Sequence, residues 1–420
     1  MKVILLLLSL LSFAYASAAA PLIEQGDVAI FQSEADRLVT VEYVLRNSPG
    51  VVTVDFQTNT TRSVDGRWVS IGQELFRDVG GAVNRLVLDT DVVHRIVWQP
   101  TNNWANVRLR NCSFRAVVKA WATNAPPDYM VIDLLTTNVN YYVSQAAMPL
   151  SPTNKLHKTS SLVMRRVHAA NVEWRMGSPK DMAWRGNNYQ YQGCEEPRLV
   201  TLSRDYYLAI FETTQEQYRL LRGASSYSGE ETSAPNVMTL PAQYMSHGYL
   251  VETFLPLASR MTGIAFGLPT EAQWEFACRA GADAPVNTGR DLTSPLSCTN
   301  MNEVAWYVRH KPTYPDSWAA YDVKTAEVGL LEPNAWGFYD MQGNVAEHCM
   351  DYGRQDDVLE FGLFRDPQGP ETGDSFVTRG GSIAASAALC TPYARYDHIA
   401  KTSANRYVGV RLCAPPVAAR

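Results

Sequence analysis

The chain has 420 residues, of which 46% are hydrophobic and 19% are charged, and its formal net charge is -5. This charge, without any run of Lys or Arg, excludes the electrostatic footprint of a nucleic-acid-binding protein. The length exceeds what one hydrophobic core usually organises, so the composition predicts a folded protein of two domains.

The first 18 residues have the pattern of a secretory signal peptide. Lys2 precedes the apolar run Val3–Leu11, and the small residues that follow supply a cleavage site of the A-x-A type. The apolar run is shorter than the roughly 20 residues that span a bilayer, and no later segment approaches that length. We therefore expect a soluble protein without a membrane span, cut after Ala16 or Ala18 and secreted or periplasmic.

Residues 25–125 are predicted to form a small all-β sandwich domain. Short β-prone runs alternate there with turn residues such as Asn47-Ser48-Pro49-Gly50. The predicted strands are Val39–Leu45, Val51–Gln57, Arg67–Ile71, Val83–Leu88, Val92–Trp98 and Ala116–Trp121. Six short strands at this spacing favour a sandwich, and no catalytic constellation occurs among them.

Pro126 and Pro127 mark the end of this domain, because consecutive prolines favour an extended chain. We expect residues 126–165 to be a connecting segment that leads into a second domain at residues 166–415. Ser161–Val167 is the predicted first strand of that domain.

Three helices are predicted in the second domain. Capping boxes at Thr214–Gln217 and Thr270–Gln273 begin two of them, which should end near Gly223 and Gly281. A third is predicted from Leu250 to Gly263 by its apolar spacing, in spite of Pro256. After Cys298 the chain shows almost no periodicity, so we expect long ordered loops around short strands.

Five islands of sequence follow one another in this second domain. They are Trp174–Ser178, Phe211–Gln215, Leu268–Phe276, Trp336–Val345, and Arg379–Ser382 followed by Gly409–Arg411. In this order they resemble the formylglycine-generating enzyme or sulfatase-modifying factor family. The resemblance implies an irregular α+β fold related to C-type lectins. Within the third island Glu275 lies four residues before Arg279, a spacing that predicts an exposed ion pair and no chemistry.

The fourth island carries a candidate calcium site. Asp340 and Glu347 bracket glycines that let the backbone turn its carbonyls inward, and Ca²⁺ takes carboxylate and carbonyl oxygens. The resemblance implies that Asp340, the carbonyls of Gly343 and Val345, and Glu347 hold the ion. Alternatively, the two carboxylates only accept hydrogen bonds from loop amides.

The resemblance also implies a second calcium site near Asn300 and Met301. Its acidic partner would be Asp316 or Asp322.

The copper site of the family is incomplete in this sequence. The enzymes oxidise a sulfatase cysteine, within a C-x-P-x-R motif, to formylglycine, using Cu(I) held by two thiolates that follow the R-G-G-S motif. Counted from Ser382, the second thiolate is Cys390 but the first position holds Ala385. One thiolate does not supply the two-sulfur site that Cu(I) prefers, so copper is doubtful. Ala346 also replaces a family aromatic residue, and Ser382 and Cys390 remain as catalytic candidates.

Seven cysteines follow the signal peptide: Cys112, Cys194, Cys278, Cys298, Cys349, Cys390 and Cys413. In an oxidising compartment most are expected to pair, and the odd number leaves at least one thiol over. We predict a disulfide between Cys349 and Cys390, because both lie beside loop motifs that should converge and neither has a second copper ligand in the expected place.

Two functions remain in competition. The first is an exported, calcium-stabilised binding module without copper chemistry, whose partner is a sulfatase, a glycan or a surface protein. The alternative is an active formylglycine-generating oxidase in which another cysteine, such as Cys349, replaces the missing metal ligand. A structural surface protein led by the N-terminal sandwich is a third possibility.

Overall fold

The computed structural model describes residues 19–33, 35–59, 67–104, 114–179, 182, 196–224, 237–308, 324–353 and 363–416. The predicted signal peptide lies outside these residues. The chain divides into two compact units. The first comprises Met1–Ile71 and Val79–Ala122, and the second comprises Gly72–Asp78 and Thr123–Arg420.

The described part of the first unit is built from eight strands in two sheets. These are β1 (Ala29–Gln32), β2 (Val39–Val44), β3 (Gly50–Asn59), β4 (Trp68–Ser70), β5 (Gly80–Gly81), β6 (Arg85–Val87), β7 (Val93–Trp98) and β8 (Phe114–Trp121). One sheet has the order β1-β2-β7-β5, and the other has the order β4-β3-β6 with β8 also paired to β3. All six predicted strands are present close to their predicted bounds.

Alternating burial fixes the inner faces of these strands. In β2 every second residue is buried, as expected for a strand with one face on the core. The Phe56 ring of one sheet stacks on the Trp98 ring of the other at 4.6 Å between centroids, and both side chains are buried. The first unit therefore has an aromatic core between its two sheets.

The second unit mixes strands and helices. Its strands are β9 (Tyr129–Asp133), β10 (Val139–Tyr142), β11 (Ser161–Val167), β12 (Glu173–Met176), β13 (Arg198–Thr201), β14 (Tyr206–Ala209), β15 (Ala305–Trp306), β16 (Gln342–Gly343), β17 (Ala346–Gly353), β18 (Leu363–Arg365), β19 (Ser375–Arg379), β20 (Arg395–Ala400), β21 (Val408–Gly409) and β22 (Cys413–Ala414). The larger sheets have the orders β10-β9-β11-β14-β22 and β20-β19-β17-β21. The smaller ones are β12-β13-β18 and the pair β15-β16.

The segment at residues 126–165 differs from the predicted connector. It contains β9 and β10, and β9 pairs antiparallel with β11 from Ser161↔Asp133 to Arg165↔Tyr129. Tyr129, Met130 and Ile132 of β9 are buried. The two prolines therefore precede the first strand of the second unit, since β9 needs β11 to pair its backbone.

The helices follow the predicted capping chemistry. Helix α1 (Gln215–Leu221) begins where Gln217 N donates to Thr214 Oγ1 at 3.2 Å and Thr214 N donates to Gln217 Oε1 at 3.1 Å. Helix α4 (Glu271–Arg279) begins with the same reciprocal bonds at Thr270 and Gln273. The prediction of both capping boxes is confirmed.

The predicted helix before Gly263 is interrupted. It consists of α2 (His247–Tyr249), a π-helical turn at Leu250–Phe254, and α3 (Leu255–Thr262), and Gly263 ends it with a φ of +75°. Pro256 lacks an N–H and lies in the first turn of α3, so the wider π turn precedes it.

Short 3-10 turns complete the described structure, at Gln25–Asp27, Gln73–Phe76, Pro100–Asn102, Gln145–Ala147, Lys155–Lys158, Val237–Thr239, Met301–Glu303 and Ala387–Cys390. In the described residues after Cys298, short strands alternate with loops and no α-helix occurs, as predicted. None of the helices in the described ranges is both long and apolar enough to cross a bilayer.

Candidate functional site

The sequence islands meet inside the second unit in a buried network of charges. Glu271 and Glu275 lie on α4, and Arg379 at the end of β19 binds both, with its Nη2 atom 2.7 Å from Glu271 Oε1 and 2.9 Å from Glu275 Oε2. Arg395 also binds Glu271, at 2.6 Å from Nε to Oε1. We call Glu271, Glu275, Arg379, Arg395 and Arg279 the α4 network. Burial alone would raise the pKa of Glu271, but Arg379 and Arg395 hold it well below its usual range.

The predicted ion pair between Glu275 and Arg279 exists but is not exposed. The Glu275 side chain is 0% exposed and that of Arg279 is 5% exposed, at 2.7 Å between Oε1 and Nη2. The same Glu275 oxygen accepts the Gly177 amide at 2.8 Å, and Arg279 donates to the Gly177 carbonyl. The expectation of an exposed pair is therefore wrong, because the first island covers this face of α4.

A second group of charges surrounds Arg411. Its guanidinium binds Glu347 with contacts of 2.6 to 2.9 Å to both carboxylate oxygens, and both side chains are at most 1% exposed. Trp274 Nε1 donates to Glu347 Oε2 at 2.6 Å. Arg411 also donates to the carbonyls of Ala209 and Tyr339. This pair joins the last island to the third and fourth islands.

Glu212 and Asp340 lie next to this pair and were not predicted to act together. Glu212 accepts the Val345 amide at 3.0 Å and the Asn344 side-chain amide at 2.6 Å. Burial, followed by the charges of Asp340 and Glu347, raises the pKa of Glu212 well above its usual range. Burial also raises the pKa of Asp340 to about 6. The carboxylates of Glu212, Asp340 and Glu347 therefore all interact electrostatically with the Arg411 guanidinium.

The residues fit the predicted calcium site only in part. Asp340 Oδ2 accepts the Gly329 amide at 2.6 Å, whereas Asp340 Oδ1 is buried without a hydrogen-bond partner among the described residues. That oxygen is available to a cation. Both oxygens of Glu347 are bound by Arg411, so Glu347 would have to release the guanidinium to bind calcium.

The second predicted calcium site is not assembled by the described residues. The Asn300 side-chain amide donates to the Asp291 carbonyl at 2.9 Å, and Met301 lies in an apolar cluster. Asp316 and Asp322 lie outside the described residues.

Cys390 and Ser382, the two catalytic candidates, lie next to each other. Burial raises the pKa of Cys390 to about 12, and a hydrogen bond with the Ser382 backbone opposes this only weakly. Ala385, which stands at the position of the first copper thiolate, is buried in the same apolar cluster as Cys390. Cys390 is thus a fully buried neutral thiol.

Cys298 is the described cysteine that most resembles a metal-binding thiolate. It was not singled out from the sequence. It belongs to the same cluster as Cys390, and both thiols lie within the electrostatic reach of the Tyr307 hydroxyl. Burial opposes its ionisation, but hydrogen bonds from Thr293 and from the amides of Met301 and Asn300 lower the pKa of Cys298. Such a donor set is typical of a thiolate-forming cysteine.

The predicted disulfide between Cys349 and Cys390 is wrong, because both residues are free and buried thiols. Cys349 packs in the main core with Cys278, whereas Cys390 packs in the smaller cluster around Tyr307. Cys278, Cys298 and Cys413 are free as well, so the expectation that most cysteines pair also fails for the five described ones. Cys112 and Cys194 lie outside the described residues.

Asp351 gives the second unit a testable pH dependence. Its Oδ2 atom accepts the Glu271 amide at 2.7 Å, and burial, together with the charge of Glu271, raises the pKa of Asp351 to about 7. Between the unfolded pKa near 4 and this value the folded state retains a proton that the unfolded state releases. This contribution is therefore complete below about pH 4 and is lost as the pH rises through 7.

We expect Asp351→Asn to remove this dependence. The free energy of unfolding of the variant minus that of the wild type should rise by on the order of 2–4 kcal/mol when the pH is raised from 5 to 8. Denaturant titrations at both pH values measure the difference, in which the other titrating groups cancel. Parallel stability profiles for wild type and variant would contradict the assignment.

Residues 175–415 match the family described as "Sulfatase-modifying factor enzyme 1-like domain". A formylglycine-generating enzyme of Thermomonospora curvata is 36% identical over 157 residues, which cover 36% of this chain and 50% of that enzyme. The chaperone protein LppX of Paenibacillus barcinonensis is 28% identical over 186 residues, or 36% of this chain and 64% of the chaperone.

Among solved structures, Treponema denticola variable protein 1 is 24% identical to this chain, with a TM-score of 0.48. That similarity covers 61% of this chain and 96% of the other protein. The chain spans from half to just under two thirds of the length of the two sequence relatives named above.

Proposed function

This chain belongs to the sulfatase-modifying factor family, and we propose that its second domain is a binding module that keeps the family scaffold without the copper chemistry. The observation that supports this is the burial of Cys390 in an apolar cluster that has Ala385 at the other copper position. A buried thiol with a pKa of about 12 is protonated at neutral pH, and the thiolate is the metal ligand. The α4 network and the Glu347–Arg411 pair, in contrast, connect the islands that define the scaffold.

We also propose the irregular C-type-lectin-like fold for this domain and a small β-sandwich for residues 25–125. The stacking of Phe56 on Trp98 between two sheets supports the second proposal. Export, to the cell exterior or the periplasm, is proposed from the pattern of the first 18 residues alone.

The test is an assay for formylglycine. Purified protein given Cu(I), oxygen and a peptide with the C-x-P-x-R motif should convert no more peptide than a protein-free control, because the second soft ligand is missing. Mass spectrometry of the peptide measures the conversion. Turnover by the wild type that disappears in Cys390→Ser would overturn the binding-module proposal.

An active oxidase remains the alternative, and one observation favours a specific form of it. Cys298 shares a cluster with Cys390 and is the described cysteine whose pKa is lowered, whereas Cys349 packs elsewhere. An oxidase would therefore take Cys298 as the substitute ligand. In that case Cu(I) binding and turnover would be lost in Cys298→Ser and kept in Cys349→Ser.

Calcium stabilisation remains part of the proposal and depends on Asp340. A ligand that binds only the native state at about 100 times its dissociation constant adds roughly 2.7 kcal/mol to the free energy of unfolding. We expect calcium to raise the melting temperature of the wild type and not that of Asp340→Ala. An equal calcium response in both proteins, or none in the wild type, would contradict calcium binding at Asp340.

A further inference from the structure

A small open pocket lies at the end of α1, and its lining includes neither Cys390 nor the carboxylates around Arg411. It has a volume of about 280 Å³. The residues that carry the argument are Tyr218, Arg222, Tyr244, Ser246, Tyr249 and Thr402. Pockets of this kind, with aromatic walls and a few convergent polar groups, are typical of small-molecule sites.

One positive charge belongs to this pocket and is held in place by aromatic rings. The Arg222 guanidinium carbon lies 5.1 Å from the Tyr218 ring centroid and 5.9 Å from that of Tyr249. The two phenol oxygens are 3.2 Å apart, so the rings are fixed relative to each other. Among the described residues, no carboxylate forms an ion pair with Arg222. A guanidinium placed over aromatic rings keeps its planar fork of donors, which matches a carboxylate.

One residue in the pocket wall has a strained backbone. Tyr244 has a φ of +62°, a region that a bulky L-residue rarely adopts. The neighbouring Gln243 pairs with Gly409, and the Tyr244 amide donates to the Asn405 carbonyl at 3.3 Å. These contacts hold the strained residue in the wall of the pocket. Strain of this kind clusters at ligand sites, where it positions a side chain.

The remaining polar groups are hydroxyls. Tyr218, Tyr249, Ser246 and Thr402 line the pocket and carry hydroxyls, which both donate and accept. The Tyr218 hydroxyl donates to that of Tyr249, and Ser246 Oγ accepts the Tyr249 amide at 3.3 Å, so each keeps only part of its hydrogen-bonding capacity for a ligand. Such a set suits a ligand that is itself rich in hydroxyls, while Arg222 requires one negative charge. The volume is enough for about one sugar ring.

We propose that this pocket binds a uronic acid, with the carboxylate on Arg222 and the ring hydroxyls on the surrounding Tyr, Ser and Thr groups. This inference names the ligand class of the binding module and so rests on the proposed function. Tyr244 acts as a positioning residue whose strained backbone shapes the wall. The rigid aromatic surface limits the entropy lost on binding.

The test is calorimetric titration of the full chain with glucuronate, glucose and inorganic phosphate. Glucuronate should bind at least about tenfold more tightly than glucose, which lacks the carboxylate, and than phosphate, which lacks the ring. Methyl glucuronide, whose anomeric hydroxyl is blocked as in a glycan, distinguishes a uronic acid at the end of a glycan from the free acid. Retained binding identifies a glycan end, and lost binding identifies the free acid. No glucuronate binding, or equal binding of glucose or phosphate, would overturn the proposal.

One variant and a matched control locate the site. Arg222→Gln should weaken glucuronate binding by about tenfold or more, because a charge-assisted hydrogen bond is lost. Arg406→Gln removes the same charge from an arginine that stacks on Tyr407, at 5.0 Å, and does not line the pocket, so it should leave the affinity unchanged. Equal effects of the two substitutions would refute the site.

Tyr244→Gly separates binding from folding. Glycine adopts a positive φ without strain, which offsets part of the stability lost with the Tyr244 side chain, so the variant should still unfold cooperatively while it loses glucuronate affinity. Unchanged affinity would contradict the role of Tyr244.

The sugar titration and the formylglycine assay are separate readouts. Absent glucuronate binding removes this ligand and leaves the binding module in place, whereas peptide conversion refutes the module itself.

Discussion

Glu271→Gln is expected to lower the free energy of unfolding of the second unit by about 3–5 kcal/mol, because it leaves buried arginines without their counter-charge. Glu271 is 1% exposed and binds Arg379 and Arg395 at 2.7 and 2.6 Å. Arg198 lies 3.8 Å away on the same carboxylate. Glutamine keeps the size of the side chain but removes the carboxylate charge that these three cations share, although Arg379 keeps a second carboxylate partner, Glu275.

Denaturant unfolding of the full chain, followed by tryptophan fluorescence, measures this loss. The matched control is Glu303→Gln, which breaks the ion pair with Arg290 at 2.7 Å, where the side chains are 46% and 52% exposed. Exposed pairs contribute about 0–1 kcal/mol, so this control should change little. If both substitutions cost the same, the α4 network would not carry the stability assigned to it.

The local signals in the sequence predicted local structure well. The capping boxes at Thr214 and Thr270 were correct because a cap depends on residues within one helical turn. The six strands of the first unit were correct for a related reason, since turn residues and alternating burial both lie within a few positions of the chain. The π turn before Pro256 was not predicted, because it depends on how the whole segment packs.

The charged core could not be predicted in the same way. Glu275 has the spacing of an exposed helical pair with Arg279, but in the structure it is buried and binds Gly177 and Arg379, which are distant in sequence. The sequence did contain one usable signal, since Trp274-Glu275-Phe276 places a carboxylate between two large apolar residues. A charge inside an apolar island indicates a buried partner more often than an exposed one.

The same limit applies to the cysteines and the acidic residues of the site. Cys349 and Cys390 both follow family motifs, but the fold sends them to different clusters. Glu212 was counted only as part of an island, although its partners Asn344 and Val345 lie more than a hundred residues away. Motif order identifies the family, and the pairing of charges between motifs requires the structure.

Arg411→Met is expected to cost the second unit about 3–5 kcal/mol, since it removes the cation that Glu347 binds in the core. Glu212 and Asp340 lie in the field of the same guanidinium, which opposes the rise in the pKa of each carboxyl. Without Arg411 the three carboxyls must be protonated or repel one another. The loss should therefore be smaller at pH 5 than at pH 8, which unfolding titrations at the two values measure.

The decisive form of this prediction is a second substitution that restores stability. Glu347→Gln in the Arg411→Met background removes the uncompensated charge. The glutamine oxygen can take over the hydrogen bond that Trp274 Nε1 donates to Glu347 Oε2, at 2.6 Å in the wild type. We expect the double variant to be more stable at pH 8 than Arg411→Met alone, because replacing both charges of a buried pair costs less than removing one. It should stay below wild type, since the carbonyls of Ala209 and Tyr339 lose their donor. A double variant that is less stable than the single one would show that Arg411 acts through those carbonyls and not through charge compensation.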